Sequence, residues 1–141
     1  MSTPYCFIDT AILVRYLTRD VEPLASHAQA LISAIEREEI VAELSVTVVL
    51  ETIFAMTTQY GADRNLLTNS LISLLALEGL RLSDKRQVIE AVGLWGRVRR
   101  LSFPDAFHLV LASHSTHRRI ATFDMGMGNV LPGVSRIEQL P

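Results

Sequence analysis

An α/β domain built on a parallel sheet is the fold class the sequence predicts, and three observations predict it. Short apolar runs alternate with longer segments of helical periodicity along the chain, the pattern of strand–helix–strand units. No repeat, low-complexity stretch or linker divides residues 1–141, and that length suits a single domain of about 100–150 residues. Two aspartates, Asp9 and Asp124, stand directly after candidate strands, the place where open α/β sheets put their ligands.

The elements follow in order. Residues 5–8 (YCFI) form a short apolar run fit for a buried strand that ends at Asp9. Residues 11–18 (AILVRYLT) read as a helix that stops near Asp20. Between Glu22 and Glu38, the positions of Leu24, Ala28, Leu31, Ile32 and Ile35 make an apolar helical stripe. Residues 40–42 are a second candidate strand. Ser45 or Thr47 caps the next helix, which runs to about Tyr60 and stops at Gly61. Asp63 opens a leucine-rich helix that ends near Gly79, and residues 80–82 give a third strand. Ser83 starts a helix that runs through Trp95 to about Arg99, and Ser102 starts another that runs to Ala112. Residues 120–123 form a strand ending at Asp124, and residues 134–137 a last one.

Composition excludes several function classes. Apolar residues make up 49% of the chain, too many for a disordered one. Thirteen basic against fifteen acidic residues give a net charge of −2, which excludes an overall basic nucleic-acid binder but not a local basic patch. Cys6 is the only cysteine, so neither an intramolecular disulfide nor a Cys-based zinc site can form. The opening MSTPYCFIDTAILVRYL has no basic start and is interrupted by Asp9 and Arg15, so it is not read as a signal peptide. No apolar run approaches the roughly 18 residues of a membrane span. A soluble, cytoplasmic protein without a membrane partner is expected.

Four acids are the candidate site residues: Asp9, Glu51, Asp105 and Asp124. Each also has a plain structural reading. Asp9 can cap the helix that follows it. Ser102 and Asp105 have the spacing of a capping box, with Pro104 early in the helix. Asp124 can be a turn residue before Gly126. Glu51 lies in SVTVVLETIFAM, a stretch apolar nearly all round. A buried carboxylate there needs a distant arginine or a metal ion as its partner. If the four converge, two carboxylates about 5 Å apart repel by about 3 kcal/mol at an effective dielectric near 20. Mg²⁺ or Mn²⁺ is the natural counter-charge for such oxygens. Two such ions can drive phosphodiester hydrolysis.

These motifs, in this order, resemble the PIN domain and, within it, the VapC-type toxin ribonucleases. FIDTAILVRYLTRD looks like the family's opening strand and helix with Asp9 as first acid. VVLETIFAMTTQYG supplies Glu51, LSFPDAFHLVLA supplies Asp105, and ATFD supplies Asp124. The resemblance implies a three-layer α/β/α domain with a central, mostly parallel sheet. It also implies a Mg²⁺ or Mn²⁺ site on these four acids and endoribonuclease activity. The implied partners are RNA, a small cognate antitoxin and a second copy of the chain. Ala11 stands where the family often has Asn or Ser, and Ser102 where many members carry another Asp. A one-metal enzyme is therefore also consistent with the motifs. Thr10 is left as a hydroxyl contact, and Thr122 matches a common hydroxyl near the fourth acid.

Arg97, Arg99 and Arg100 form one basic cluster, and His114, His117, Arg118 and Arg119 another. Arg15 lies two turns after Asp9. Phosphate anchoring and favourable charge at helix C-termini both account for the clusters. Met125 and Met127 suggest an apolar lip beside Asp124. The helices at 11–18 and 66–77 suggest a groove for a partner helix. A phospho-acceptor signalling domain fits poorly, because Lys85 is the only lysine and lies at a helix start. A non-catalytic PIN-like binding module and a housekeeping RNA-processing nuclease are the remaining alternatives.

Overall fold

Strand β1 (Tyr5–Phe7) leads through Asp9 into helix α1 (Thr10–Thr18). Helix α2 (Leu24–Glu36), strand β2 (Val41–Glu43), helices α3 (Val46–Thr58) and α4 (Arg64–Leu75) and strand β3 (Leu80–Arg81) follow. Helices α5 (Lys85–Arg97) and α6 (Phe103–Ser113), strand β4 (Arg119–Ile120), a 3₁₀ turn (Met125–Met127) and strand β5 (Ser135–Arg136) come last. The computed structural model describes residues 2–137. They divide at the start of α5 into two compact units, one up to Lys85 and one from Arg86. The fold is mixed α/β with parallel strand pairing throughout, the class expected from the alternation.

In the first unit the sheet order is β1-β2-β3, all parallel, and each crossover is a helix pair: α1 and α2, then α3 and α4. Cys6 pairs with Ala42, and Ala42 with Leu80, so these three side chains share one face of the sheet. Ala42 and Leu80 are buried, as are Ile8, Leu44 and Leu82 two residues further on. Tyr5 and Phe7 point the other way, 49% and 74% exposed, with their rings edge to face at 5.8 Å. The first strand is therefore half-buried rather than wholly buried, because a pleat sends alternate side chains to opposite faces.

Each helix of this unit buries one stripe. Leu13 and Val14 do so for α1, Ile32 and Ile35 for α2, and Leu67, Leu71, Leu74 and Leu75 for α4. Asp63 caps α4 by accepting from the Leu66 N–H at 2.9 Å, as its position predicts. Ser45 occupies the N-cap of α3 but makes no side-chain cap bond. Gly61, after α3, has φ +57°, a left-handed conformation that glycine adopts without strain. The Lys85 ammonium donates to the carbonyls of Leu77 (2.7 Å) and Leu80 (2.6 Å), and burial pushes its pKa down.

Gly79 sits where α4 gives way to β3, and its carbonyl accepts from Ala42 N–H at 2.8 Å. A Cβ there would lie 2.7 Å from the carbonyl oxygen of Ile35. Backbone cannot swing aside as a side chain can. Gly79→Ala is expected to cost about 1–3 kcal/mol, the range for overpacking, read as a lower midpoint in urea denaturation.

In the second unit, α5 buries Val88, Ala91, Val92, Leu94 and Trp95, and α6 buries Phe103, Ala106, Leu109 and Val110. Trp95 is 3% exposed, a packing anchor. Ser102 Oγ accepts from the Asp105 N–H at 3.2 Å, with proline in the first turn of α6, so the predicted cap forms. Strand β4 pairs with β5 in parallel, Arg119 opposite Ser135 and Ile120 opposite Arg136. The strand predicted over residues 120–123 is shorter and earlier, ending at Ile120. Among the described residues no helix is long and apolar enough to cross a membrane.

Candidate functional site

Asp9 is placed by the end of β1. The ladder runs on past Phe7 through the Ile8 N–H, which donates to the Glu43 carbonyl at 2.8 Å. The next residue adopts an extended backbone and caps α1. Its Oδ1 accepts from the Thr10 N–H at 2.8 Å. The capping role read from the sequence is therefore real. It occupies one carboxylate oxygen and leaves the side chain exposed.

Glu51 departs from expectation. It is exposed, not buried in an apolar helix. The buried positions of α3 are Val49, Thr52, Ile53 and Met56, an i, i+3, i+4, i+7 stripe. Leu50, Glu51 and Phe54 lie off that stripe and are exposed. The apolar composition of the outer face hid this periodicity. The partner of Glu51 is also not an arginine. Thr10 Oγ1 donates to Glu51 Oε2 at 2.7 Å across 41 residues of sequence. Asp9 and Glu51 are thus joined through a single residue.

Beside this pair lies a cleft of about 480 Å³ lined by Thr10, Leu50, Glu51, Phe54, Ala55 and Gln59. Phe54 is 64% exposed, and neither it nor Gln59 was singled out from the sequence. The signal was available in the outer stripe of α3, where Leu50 and Phe54 flank Glu51 at helical spacing. At the far end of α1, Arg15 Nη1 donates to Asp20 Oδ1 (2.9 Å) and to the Tyr60 hydroxyl (3.3 Å). The Thr18 hydroxyl, and with it Arg15, holds the Asp20 carboxyl below its ordinary range. Arg15, a candidate phosphate anchor, is engaged in this network instead.

Asp105 lies in the first turn of α6, half-buried. Its N–H completes one arm of the capping box. Asp124 is exposed, and its Oδ1 accepts from Gly126 N–H at 2.8 Å to cap the 3₁₀ turn. It stands four residues past β4 rather than directly after it. Thr122 Oγ1 accepts from the Asp124 N–H at 3.0 Å, a contact to the backbone of this residue and not to its carboxylate. Met127 is buried at 4% and Met125 is 74% exposed, so of the two methionines only Met125 lies at the surface. His114 Nε2 lies 2.9 Å from Glu90 Oε2, which engages one member of the second basic cluster. Arg97, Arg99, Arg100, Arg118 and Arg119 are exposed.

The candidate residues, Asp9, Thr10 and Glu51 in the first unit and Asp105 and Asp124 in the second, each offer only side-chain oxygen, the donor type that Mg²⁺ and Mn²⁺ take. In donor chemistry the residues fit such an ion. Among the described residues, neither unit by itself gathers three or more His, Cys, Asp or Glu side chains that could hold a metal.

Comparison with known proteins adds one finding. The family model described as PIN domain matches residues 6–130, a span that reaches into both units and includes all four acids. No curated protein and no solved structure matches the chain.

Proposed function

Because the chain belongs to the PIN domain family, a nuclease-type fold, we propose that it is a Mg²⁺- or Mn²⁺-dependent endoribonuclease, the toxin of a type II toxin–antitoxin pair. Asp9, Glu51, Asp105 and Asp124 are the proposed catalytic and metal-holding residues. The observation that carries this reading is the Thr10–Glu51 bond. It joins two of the four acids named from sequence motifs, and does so with a neutral donor that leaves their charge intact. A bound divalent cation would supply charge stabilisation at the phosphate undergoing hydrolysis. The chain's own contribution is to hold the carboxylates in place, each already fixed by a backbone or hydroxyl donor on one oxygen in three of the four cases.

Single-stranded or looped RNA is the proposed substrate, since an unpaired strand can present its backbone to a narrow acidic site. The exposed arginines of residues 97–100 and 118–119 support phosphate anchoring away from the acids. A cognate antitoxin and a second copy of the chain are the proposed protein partners. A cleft of about 500 Å³ lined in part by Tyr16, Leu17, Ile32, Ser70 and Leu74 supports the first. It lies where a groove for a partner helix was expected, on α1 and α4. The exposed Leu50 and Phe54 on α3 support the second.

Incubation of the purified chain with single-stranded RNA is expected to give Mn²⁺-dependent cleavage that stops on chelation. Cleavage that persists in chelator would overturn the metal requirement. No cleavage with any divalent ion would favour a non-catalytic binding module. Growth arrest on expression, relieved by a neighbouring small protein, separates the toxin from a housekeeping nuclease.

A further inference from the structure

We propose that Phe123 is a stacking platform for an unpaired nucleobase, seating single-stranded RNA beside Asp124; the proposal rests on the nuclease reading above and names a contact that reading leaves out. Phe123 is 90% exposed, the most exposed large apolar side chain among the described residues. Met125, two residues on, is 74% exposed. The two flank Asp124 in the chain, so this acid has an apolar side chain at the surface on either side of it.

The backbone on both sides of the ring is tied down. The Thr122 hydroxyl accepts from the Asp124 N–H at 3.0 Å and donates to the Met127 sulfur at 3.6 Å. The Thr122 carbonyl accepts from Arg136 Nη1 at 3.1 Å. Asp124 Oδ1 accepts from the Gly126 N–H at 2.8 Å. Phe123 thus sits between two anchored residues while its ring meets water. A contact surface fixed before its ligand arrives loses less freedom on binding.

The surroundings of the ring indicate what covers it. The core of a protein interface is depleted in charge. Here two apolar side chains stand among charges. Arg118 and Arg119 are exposed, and Arg119 precedes Phe123 by four residues, a span of at most about 14 Å. Cation, flat ring and carboxylate therefore follow one another along one short stretch. A nucleotide complements the first two: its phosphate suits arginine and its base offers a π face to the ring. Only an unpaired strand has that face free, because bases in a duplex stack on each other. A base on Phe123 brings its attached backbone to the adjacent residue, Asp124.

The test is binding of the full chain to a short labelled RNA without self-complementarity, followed by fluorescence anisotropy in chelator so that no cleavage intervenes. Phe123→Ala should weaken binding about fivefold to a hundredfold, the range of one base–aromatic stack. Phe123→Leu, apolar but not aromatic, should lose affinity too, and Phe123→Tyr should stay within about threefold of wild type, since every aromatic ring offers a face. A strand of the same length without bases should bind wild type and Phe123→Ala alike. Because the ring is exposed, all these variants should keep the wild-type urea midpoint.

Phe123→Trp reads the contact directly. The one natural tryptophan, Trp95, is buried, so the wild type serves as the blank. The added indole should lose emission as RNA is titrated in, and keep it with the strand that lacks bases. Wild-type affinity in Phe123→Ala, or an indole that RNA does not quench, overturns the proposal, as does a wild type that binds no single-stranded RNA. Full affinity in Phe123→Leu overturns it as well and leaves an apolar contact for a protein partner. Aromatic-dependent RNA binding without any metal-dependent cleavage would leave the platform standing while the nuclease reading falls. Metal-dependent cleavage by a chain whose RNA affinity is indifferent to Phe123 would do the reverse.

Discussion

Asp9→Asn is expected to lower Mn²⁺-dependent RNA cleavage by about 10²–10³-fold, the equivalent of several kcal/mol of lost charge stabilisation, while the fold stays intact. Asparagine is the informative choice because Asp9 has two roles. It caps α1 through Oδ1, which accepts from Thr10 N–H, and it is a proposed metal-holding carboxylate. Asparagine is as good an N-cap as aspartate, and its side-chain oxygen can keep the same bond. It loses only the negative charge. Alanine would remove both roles, and about 1 kcal/mol of stability with the cap. The urea midpoint of Asp9→Asn should therefore match wild type, within the roughly 0.5 kcal/mol seen for surface changes. Full cleavage activity in Asp9→Asn would reduce this acid to a helix cap. Glu51→Gln makes the parallel test on α3, since glutamine still offers an oxygen to the Thr10 hydroxyl. Asp105 is the simplest case of the four: its N–H takes part in the Ser102 cap, so the carboxylate can be changed to the amide without touching that bond.

Local physics made most of the fold legible. Strands β1 to β3 are short apolar runs ended by polar residues. The caps at Asp9, Asp63 and Ser102 are side-chain oxygens one residue before helical stripes, and such signals act within a few positions. Composition alone puts Glu51 in the interior, and the phase of the helix takes it out. A helix with apolar residues on its outer face looks buried until the stripe of Val49, Thr52, Ile53 and Met56 is counted. The early end of β4 has a similar local cause. The last ladder bond runs from Ile137 N–H to the Ile120 carbonyl at 2.9 Å. Beyond it, the Thr122 hydroxyl takes the Asp124 N–H, and Arg136 Nη1 takes the Thr122 carbonyl at 3.1 Å. Side chains satisfy those backbone groups and displace the ladder. What no local reading reaches is a pairing such as Thr10 with Glu51, because a sequence separation of 41 and a full crossover part them.

Leu13→Ala should do the reverse of Asp9→Asn: unfold the protein more readily without removing any group proposed for the chemistry. Leu13 is fully buried in α1, one turn beyond the residues that hold the acidic pair. Cutting it back to alanine loses the transfer energy of three carbons and leaves a cavity, typically about 2–5 kcal/mol. Against a total of about 5–15 kcal/mol for a domain, that is a large share. With a urea slope of about 1–3 kcal/mol per molar, the midpoint should fall by roughly 1–3 M. Cleavage by Leu13→Ala should follow the folded fraction as urea is added, with a rate per folded molecule near wild type at low urea. In Asp9→Asn the folded fraction should stay constant while the rate per molecule collapses. Both changes fall within the six residues that follow β1, so a helix whose placement alone mattered would respond alike to both. A loss under about 1 kcal/mol in Leu13→Ala would mean that the site can collapse around the smaller side chain, and that α1 is not held in place by this contact. The divergence of the two variants is what a catalytic acid mounted on a packed helix requires.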